Sequence, residues 1–213
     1  MTLTLNEIEA VIQELDRILV GGRLSGAFLE DDETLVLAVR RKSAEHFVLI
    51  SARHHLARIH LTEHSPATGH ERRRPAGSLA DVLNHLAGAE IRRVKRWFED
   101  RVVAMTFMLE GEKRTLLFEC SGQHPNVFLL DPRGVILAIL KPTRSRKRDL
   151  RPGLPYAQPL HRATDPMGSL RFLGSEGGLS AEIEAYYDGM VTGRPRRLVS
   201  VTPPERRKKP SRP

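Results

Sequence analysis

Apolar residues recur every three to four positions at the start of the chain and then give way to near alternation. Ile8, Val11, Ile12, Leu15 and Leu19 fall on one face of a helix. Thr4 and Glu7 stand at capping-box spacing, in which hydroxyl and carboxylate satisfy free amides of the first turn. Gly21 and Gly22 end the helix, because glycine accepts the left-handed conformation that closes one. Residues 24–29, 34–39, 47–50 and 58–61 then read as short antiparallel strands, with Asp31 and Asp32 in the first turn. The stretch 62–77 is polar and holds Pro66, Gly69, Arg72, Arg73, Arg74 and Pro75, so it reads as a surface loop.

Ser78 and Asp81 cap a second helix that carries Leu79, Val82, Leu83 and Leu86 on one face and stops at Gly88. A second strand set follows at 91–97, 101–109, 114–119, 126–130 and 135–140. Its connections lie at Glu99-Asp100, at Glu110-Gly111-Glu112, around Gly122 and at Asp131-Pro132-Arg133-Gly134. A third helix is expected at 180–190, with Leu179, Ile183, Tyr186, Tyr187 and Met190 as its apolar positions. The expected class is α+β: two antiparallel strand sets in a β-sandwich-like body with capping helices. One domain spans 1–190. Proline and charge oppose folding over 191–213, which reads as a disordered tail.

Charge changes this picture. The chain carries a formal net charge of +8, from 34 Lys and Arg against 26 Asp and Glu. Eight of the basic residues lie between Arg194 and Pro213, opposed only by Glu205. The body is left with 26 basic and 25 acidic groups, close to neutral, and the tail is a polycation. Such a tail is drawn to phosphate backbones, and a solubilising extension is the plainer reading. No apolar run approaches the ~18 residues of a membrane span, and Glu7, Glu9, Glu14 and Asp16 oppose a secretory signal. The lone Cys120 has no internal disulfide partner. A cytoplasmic protein without membrane contact is expected.

The histidines His54, His55, His60 and His64 invite a metal hypothesis. In an extended segment the adjacent His54 and His55 would point to opposite faces, so neither a metal site nor another cofactor is expected. No local nucleophile signature surrounds Ser51 or Cys120, and no catalytic residue is assigned. Basic clusters stand at Arg72–Arg74, at Arg92, Arg93, Lys95 and Arg96, and at Lys141, Arg144, Arg146, Lys147 and Arg148. Each alone is an ordinary solvated face, but together with the tail they favour nucleic acid. Aromatic content is 5%, and Trp97 and Phe98 are the sole aromatics beside a basic run. Contacts to phosphate and shape are therefore expected to outweigh base stacking. On pattern alone, Asp100-Arg101 is an acidic turn residue followed by a strand arginine.

Several segments in order resemble the NFACT N-terminal domain, the opening module of the RqcH/NEMF ribosome quality-control proteins. They are residues 6–15 with Gly21-Gly22-Arg23-Leu24; 51–62, ending Arg58-Ile59-His60-Leu61-Thr62; and His85 to Ile91 with Asp100-Arg101-Val102-Val103. Glu119, Gly122, His124, Asn126 and Leu129-Leu130-Asp131 continue the match, as does Arg148 through Leu150-Arg151-Pro152-Gly153 to Tyr156 and Pro159. The resemblance implies binding of tRNA and of the large ribosomal subunit carrying a stalled nascent chain, in support of C-terminal tailing. It implies tRNA engagement by Asp100 and Arg101, with Arg58, His60, Arg92, Arg93, Arg96, Asn126 and Arg148 as further RNA contacts. Leu83, Asn84, Glu90 and Gln123 stand where the family usually has basic residues. The coiled coil and C-terminal domain of the family have no room in this sequence. It is thus either a fragment or a stand-alone relative, and a separate chain supplying the missing domains is a further candidate partner.

The fold is also similar to the N-terminal domain of formamidopyrimidine-DNA glycosylases. Those enzymes use a proline after the initiator methionine as nucleophile, whereas this chain begins Met1-Thr2-Leu3. An adhesion role is the remaining alternative, since relatives carry a historical fibronectin-binding label.

Overall fold

A computed structural model of the chain describes residues 3–66, 76–98, 100–120, 124–143, 148–159, 171–172, 174 and 178–192. The basic runs Arg72–Arg74 and Arg144–Lys147, Gly122, Gln123 and the tail from 193 onward lie outside the described residues.

The first helix, α1 (Leu5–Leu19), starts as its capping box predicts. Thr4 N–H donates to Glu7 Oε2 at 2.8 Å, and Glu7 N–H donates to the Thr4 hydroxyl at 3.3 Å. Gly21 follows the C-cap Val20 with φ +81°, the left-handed conformation that frees glycine of penalty. Ile8, Val11, Leu15 and Leu19 are fully buried, each worth about 1.5–3 kcal/mol of apolar transfer.

Four strands come next: β1 (Arg23–Asp31), β2 (Thr34–Arg41), β3 (Ala44–Ser51) and β4 (Arg58–Thr62). After the short α2 (Leu79–Asn84), five more follow: β5 (Glu90–Arg96), β6 (Val102–Leu109), β7 (Glu112–Glu119), β8 (Asn126–Leu130) and β9 (Ile136–Ile139). The last described helix is α3 (Leu179–Thr192). All described strand pairs are antiparallel, and Glu110 with Gly111 makes the tight β6–β7 turn at positive φ.

The two strand sets expected from the sequence are halves of one sheet, in the order β4-β3-β2-β1-β5-β6-β7-β8-β9. The joint is short. Gly21 N–H donates to Ile91 O and Ile91 N–H to Gly22 O, while Leu24 N–H donates to Ala89 O and Gly88 N–H to Leu24 O. Close approach demands glycine here: a Cβ on Gly22 would lie 2.8 Å from Val39 Cγ1 and 2.9 Å from the Leu19 carbonyl oxygen. The apolar face of α1 then packs on strands of both halves in one core, which includes Leu37, Ile50, Ile91, Phe107, Phe118 and Leu129. Asp16 fastens the helix across the joint by accepting Val94 N–H at 2.8 Å. Asn84 ties α2 to β1, accepting Ala27 N–H at 3.0 Å and donating to Ala27 O at 2.8 Å.

The second half of the sheet is apolar on both faces. Its far face carries Val102, Ala104, Leu117, Phe128 and Leu130, packed against Leu150, Trp97 and Tyr156. The segment after β9 therefore folds back over this face. None of the described helices is long and apolar enough to cross a membrane.

Candidate nucleic-acid interface

The cationic run of β5 is presented by an irregularity in the strand. Ile91 pairs with Phe107 and Arg93 with Thr106, so one extra residue is accommodated between them. Such a bulge breaks strict alternation. Both Arg92 and Arg93 are exposed, while Ile91 and Val94 keep their places in the core. Beyond the bulge alternation resumes, and Arg93, Lys95 and Trp97 share the face turned away from α1.

The four basic residues of this run consequently differ in freedom. Arg92 meets Glu90 at 2.8 Å, and Arg96 lies 3.6 Å from Glu9 of α1. Glu90 thus neutralises a neighbour at a position where an arginine would have added charge. These pairs are exposed and contribute little, so an anion can compete for either arginine. Arg93 has no ion-pair partner among the described residues. The Lys95 ammonium stands 6.0 Å from the Trp97 ring centroid.

The strand leads into a turn that carries Asp100 and Arg101. Trp97 N–H donates to Val102 O at 2.7 Å, and Cys120 N–H donates to Arg101 O at 2.9 Å. The Asp100 carboxylate accepts Arg101 N–H at 2.7 Å, a local bond within the turn. Both side chains are half-buried. Asp100 lies in the turn that follows this strand, whereas Arg101 extends partly inward. Its Nε is shut off from solvent, and its charge is felt by the buried Cys120 thiol. Burial pushes that thiol up to about 12, so Cys120 stays protonated and unreactive. Phe98, between strand and turn, is 45% exposed and takes φ +59°.

Four of the residues implicated by family resemblance sit elsewhere and are occupied internally. His60 is fully buried, its Nδ1 2.7 Å from Leu61 O and its Nε2 accepting from Arg58 Nε at 3.3 Å. That arrangement requires a neutral ring, and burial holds its pKa down to about 4. Arg58 is 7% exposed, donates to Leu56 O and lies 5.0 Å over the Tyr187 ring. Asn126 is buried, and its amide bonds Lys141 O, Lys141 N–H and Val127 N–H. Arg148 forks onto Glu119 at 2.6 and 3.1 Å, beneath Tyr156, whose hydroxyl donates to the same carboxylate at 2.6 Å. Arg58, His60 and Asn126, expected as further RNA contacts, are therefore buried and bonded within the domain. The Arg148 fork anchors the segment that covers the far face of the sheet, with Nε on Ala157 O at 2.9 Å.

A buried ion pair went unseen in the sequence. Glu7 Oε1 accepts Arg171 N–H at 2.9 Å and Nε at 2.8 Å, while Oε2 accepts Nη2 at 2.7 Å. Burial alone would raise the Glu7 pKa, but these bonds and that of Thr4 hold it below the ordinary carboxylate range. The Arg171 guanidinium also lies 5.1 Å from the Phe172 ring and 5.4 Å from that of Tyr186, which links α1 to α3. Arg171 lies 164 positions after Glu7, so no local spacing could have paired them.

His54 and His55 depart from the extended geometry. They occupy a turn in which His55 takes φ +61°, and their rings lie 3.7 Å apart. Among the described residues no group of three or more potential ligands could hold a metal ion.

These features define an α+β domain whose distinctive chemistry is an exposed, positively charged strand that leads into an Asp-Arg turn. The chain belongs to the NFACT family: residues 5–172 match the family described as NFACT N-terminal and middle domains. It is 30% identical over 158 residues to the Rqc2 homolog RqcH of Streptococcus pneumoniae, covering 70% of this chain and 28% of that protein. It is 27% identical over 195 residues to the Rqc2 homolog RqcH of Bacillus subtilis, covering 83% and 33%. The chain therefore spans a third or less of the length of these relatives. Among solved structures it is similar to the N-terminal domain of the fibronectin-binding protein PavA from S. pneumoniae. The TM-score there is 0.63 with 28% identity, over 72% of this chain and 63% of that one. The N-terminal part of the fibronectin/fibrinogen-binding protein of Streptococcus suis shares the fold at a TM-score of 0.64 with 24% identity, over 73% and 61%.

Proposed function

We propose that this chain is the RNA-engaging domain of a cytoplasmic ribosome quality-control factor. It binds tRNA and the large ribosomal subunit and thereby supports tailing of stalled nascent chains. Chemically it acts by contact, without a catalytic residue or cofactor. The observation that carries the reading is the outward pair Arg93 and Lys95 on β5, beside the Asp100–Arg101 turn. Cations on one strand face supply phosphate contacts, and a half-exposed Asp carboxylate can accept from a ribose hydroxyl. Arg92 and Arg96 extend the positive surface once their exposed partners yield to phosphate.

Because Arg101 is half-buried, replacing both turn residues at once would confuse folding with binding. Two separate variants avoid this. Asp100→Ala is expected to weaken tRNA binding roughly tenfold, the value of one charge-assisted hydrogen bond, with little change in melting temperature. Arg101→Lys keeps the charge but removes the planar fork, so it tests bidentate phosphate recognition. Filter binding with purified tRNA measures both. Wild-type affinity in both variants removes the turn from the interface.

A second reading has a specific observation in its favour. The matched region is that of the family's N-terminal and middle domains, and such a unit can bind nucleic acid without itself carrying tailing activity. Tailing of a stalled nascent chain in a reconstituted translation system separates the two. The names of the solved relatives also motivate an adhesion test, read by fibronectin binding of the purified chain.

A further inference from the structure

Phe98 is a large apolar side chain in the wrong place for a structural role. It belongs to neither core cluster, and the residue is 45% exposed. Its backbone takes φ +59°, a conformation that a bulky side chain adopts only against a steric penalty. Lys42, His55 and Glu110 also take positive φ, each in a turn, but Phe98 is the one large apolar residue among the described non-glycine residues to do so. Residues held in this way concentrate at functional surfaces. The ring is not isolated. Trp97 lies behind it with centroids 5.6 Å apart and planes tilted by 42°, and Lys95 places its ammonium 6.0 Å from the Trp97 ring. Trp97 itself is seated on the apolar far face of the sheet, so the support is firm. Arg93 and Lys95 precede Trp97 on the same strand face, and Asp100 follows Phe98 in the turn.

An exposed ring packed on a second aromatic, with cations on the strand that leads to it, is an arrangement suited to an unpaired base. Stacking engages the base, and the cations hold the adjoining backbone. We infer that Phe98, backed by Trp97, is a stacking platform for one unpaired RNA base, with Lys95 and Arg93 holding the flanking phosphates. The inference rests on the RNA-binding reading and deepens it, since it makes an unpaired segment the part of the RNA that reaches this turn. Low aromatic content limits the platform to a single base.

Trp97 is the only tryptophan in the chain, so its fluorescence reports on this position alone. The protein is titrated with tRNA, with a short single-stranded oligoribonucleotide, and with an abasic oligomer of equal length. Both base-bearing ligands are expected to quench Trp97, and the abasic oligomer to bind more weakly without quenching. Phe98→Ala is expected to bind the oligoribonucleotide on the order of tenfold more weakly, as removal of one stacked base entails. Phe98→Gly, which relieves the backbone, is expected to melt no lower than the wild type while binding as weakly as Phe98→Ala. The platform is overturned if Trp97 is unchanged on binding and Phe98→Ala binds normally. If tRNA binding in that case still depends on Asp100, the RNA-binding reading stands without the platform. Quenching by the oligoribonucleotide without any tRNA binding upholds the platform and overturns the tRNA reading. A response to neither RNA overturns both, and leaves an apolar protein side chain as the occupant to seek.

Discussion

His60 shows how far a single side chain can depart from its motif. In sequence it stands within the stretch 51–62 that resembles the family, yet it is a neutral, internally bonded ring. Its pKa of about 4 lies below the ordinary value near 6.5. The unfolded chain then binds more protons between these values, so stability rises with pH there. The contribution is fully present above about 6.5 and is lost as pH falls through 4. Between pH 7 and pH 5 the expected loss is about 2 kcal/mol. Urea denaturation at the two pH values measures it, and His60→Gln should flatten the difference. An unchanged dependence in that variant would place the titrating group elsewhere. Some residue chemistry was legible in the sequence: the Thr4 and Glu7 cap is a local spacing rule, and it holds. What Glu7 also does was not, since Arg171 reaches it only after the whole sheet has formed. Burial decided the other cases. A motif gives the identity of Arg58 and Asn126 but not which way they face.

At the scale of elements, hydrophobic periodicity carried most of the reading. The three described helices and the nine described strands lie where apolar spacing and turn residues put them, within a few residues. The joint between β1 and β5 escaped because it depends on the backbones at Gly21–Leu24 and Gly88–Ile91, and side-chain alternation is silent about that pairing. The β5 bulge escaped likewise. Arg92-Arg93 reads as a break in alternation, and only the register with β6 shows that both arginines stay outward. The joint makes its own prediction. Gly22→Ala puts a Cβ against Val39 and the Leu19 carbonyl, and overpacking of this kind costs roughly 1–3 kcal/mol. A fall in the urea midpoint without a change in slope is expected. An unaffected midpoint would mean that β1 and β5 can part without penalty.

Over the whole molecule, charge is divided between a nearly neutral body and a basic terminus. The eight basic residues from Arg194 onward lie outside the described residues, so their part rests on electrostatics alone. Their removal is expected to weaken RNA binding irrespective of sequence. The plot of log K against log salt should become shallower by up to about 0.7 for each single-strand phosphate the tail had neutralised. Identical slopes with and without the tail would make it a solubilising extension.

The β5 strand and the turn after it are proposed as the RNA surface of the body. The double variant Arg93→Glu/Lys95→Glu tests this most directly, because both side chains are exposed and neither holds the fold together. The melting temperature should hardly move, since exposed substitutions usually cost under ~0.5 kcal/mol. The measurement is tRNA affinity across a salt series. Binding should weaken by at least roughly tenfold, with a log–log slope shallower by about 1.4 once two single-strand phosphates go unneutralised. Wild-type affinity and an unchanged slope in a folded variant would contradict it.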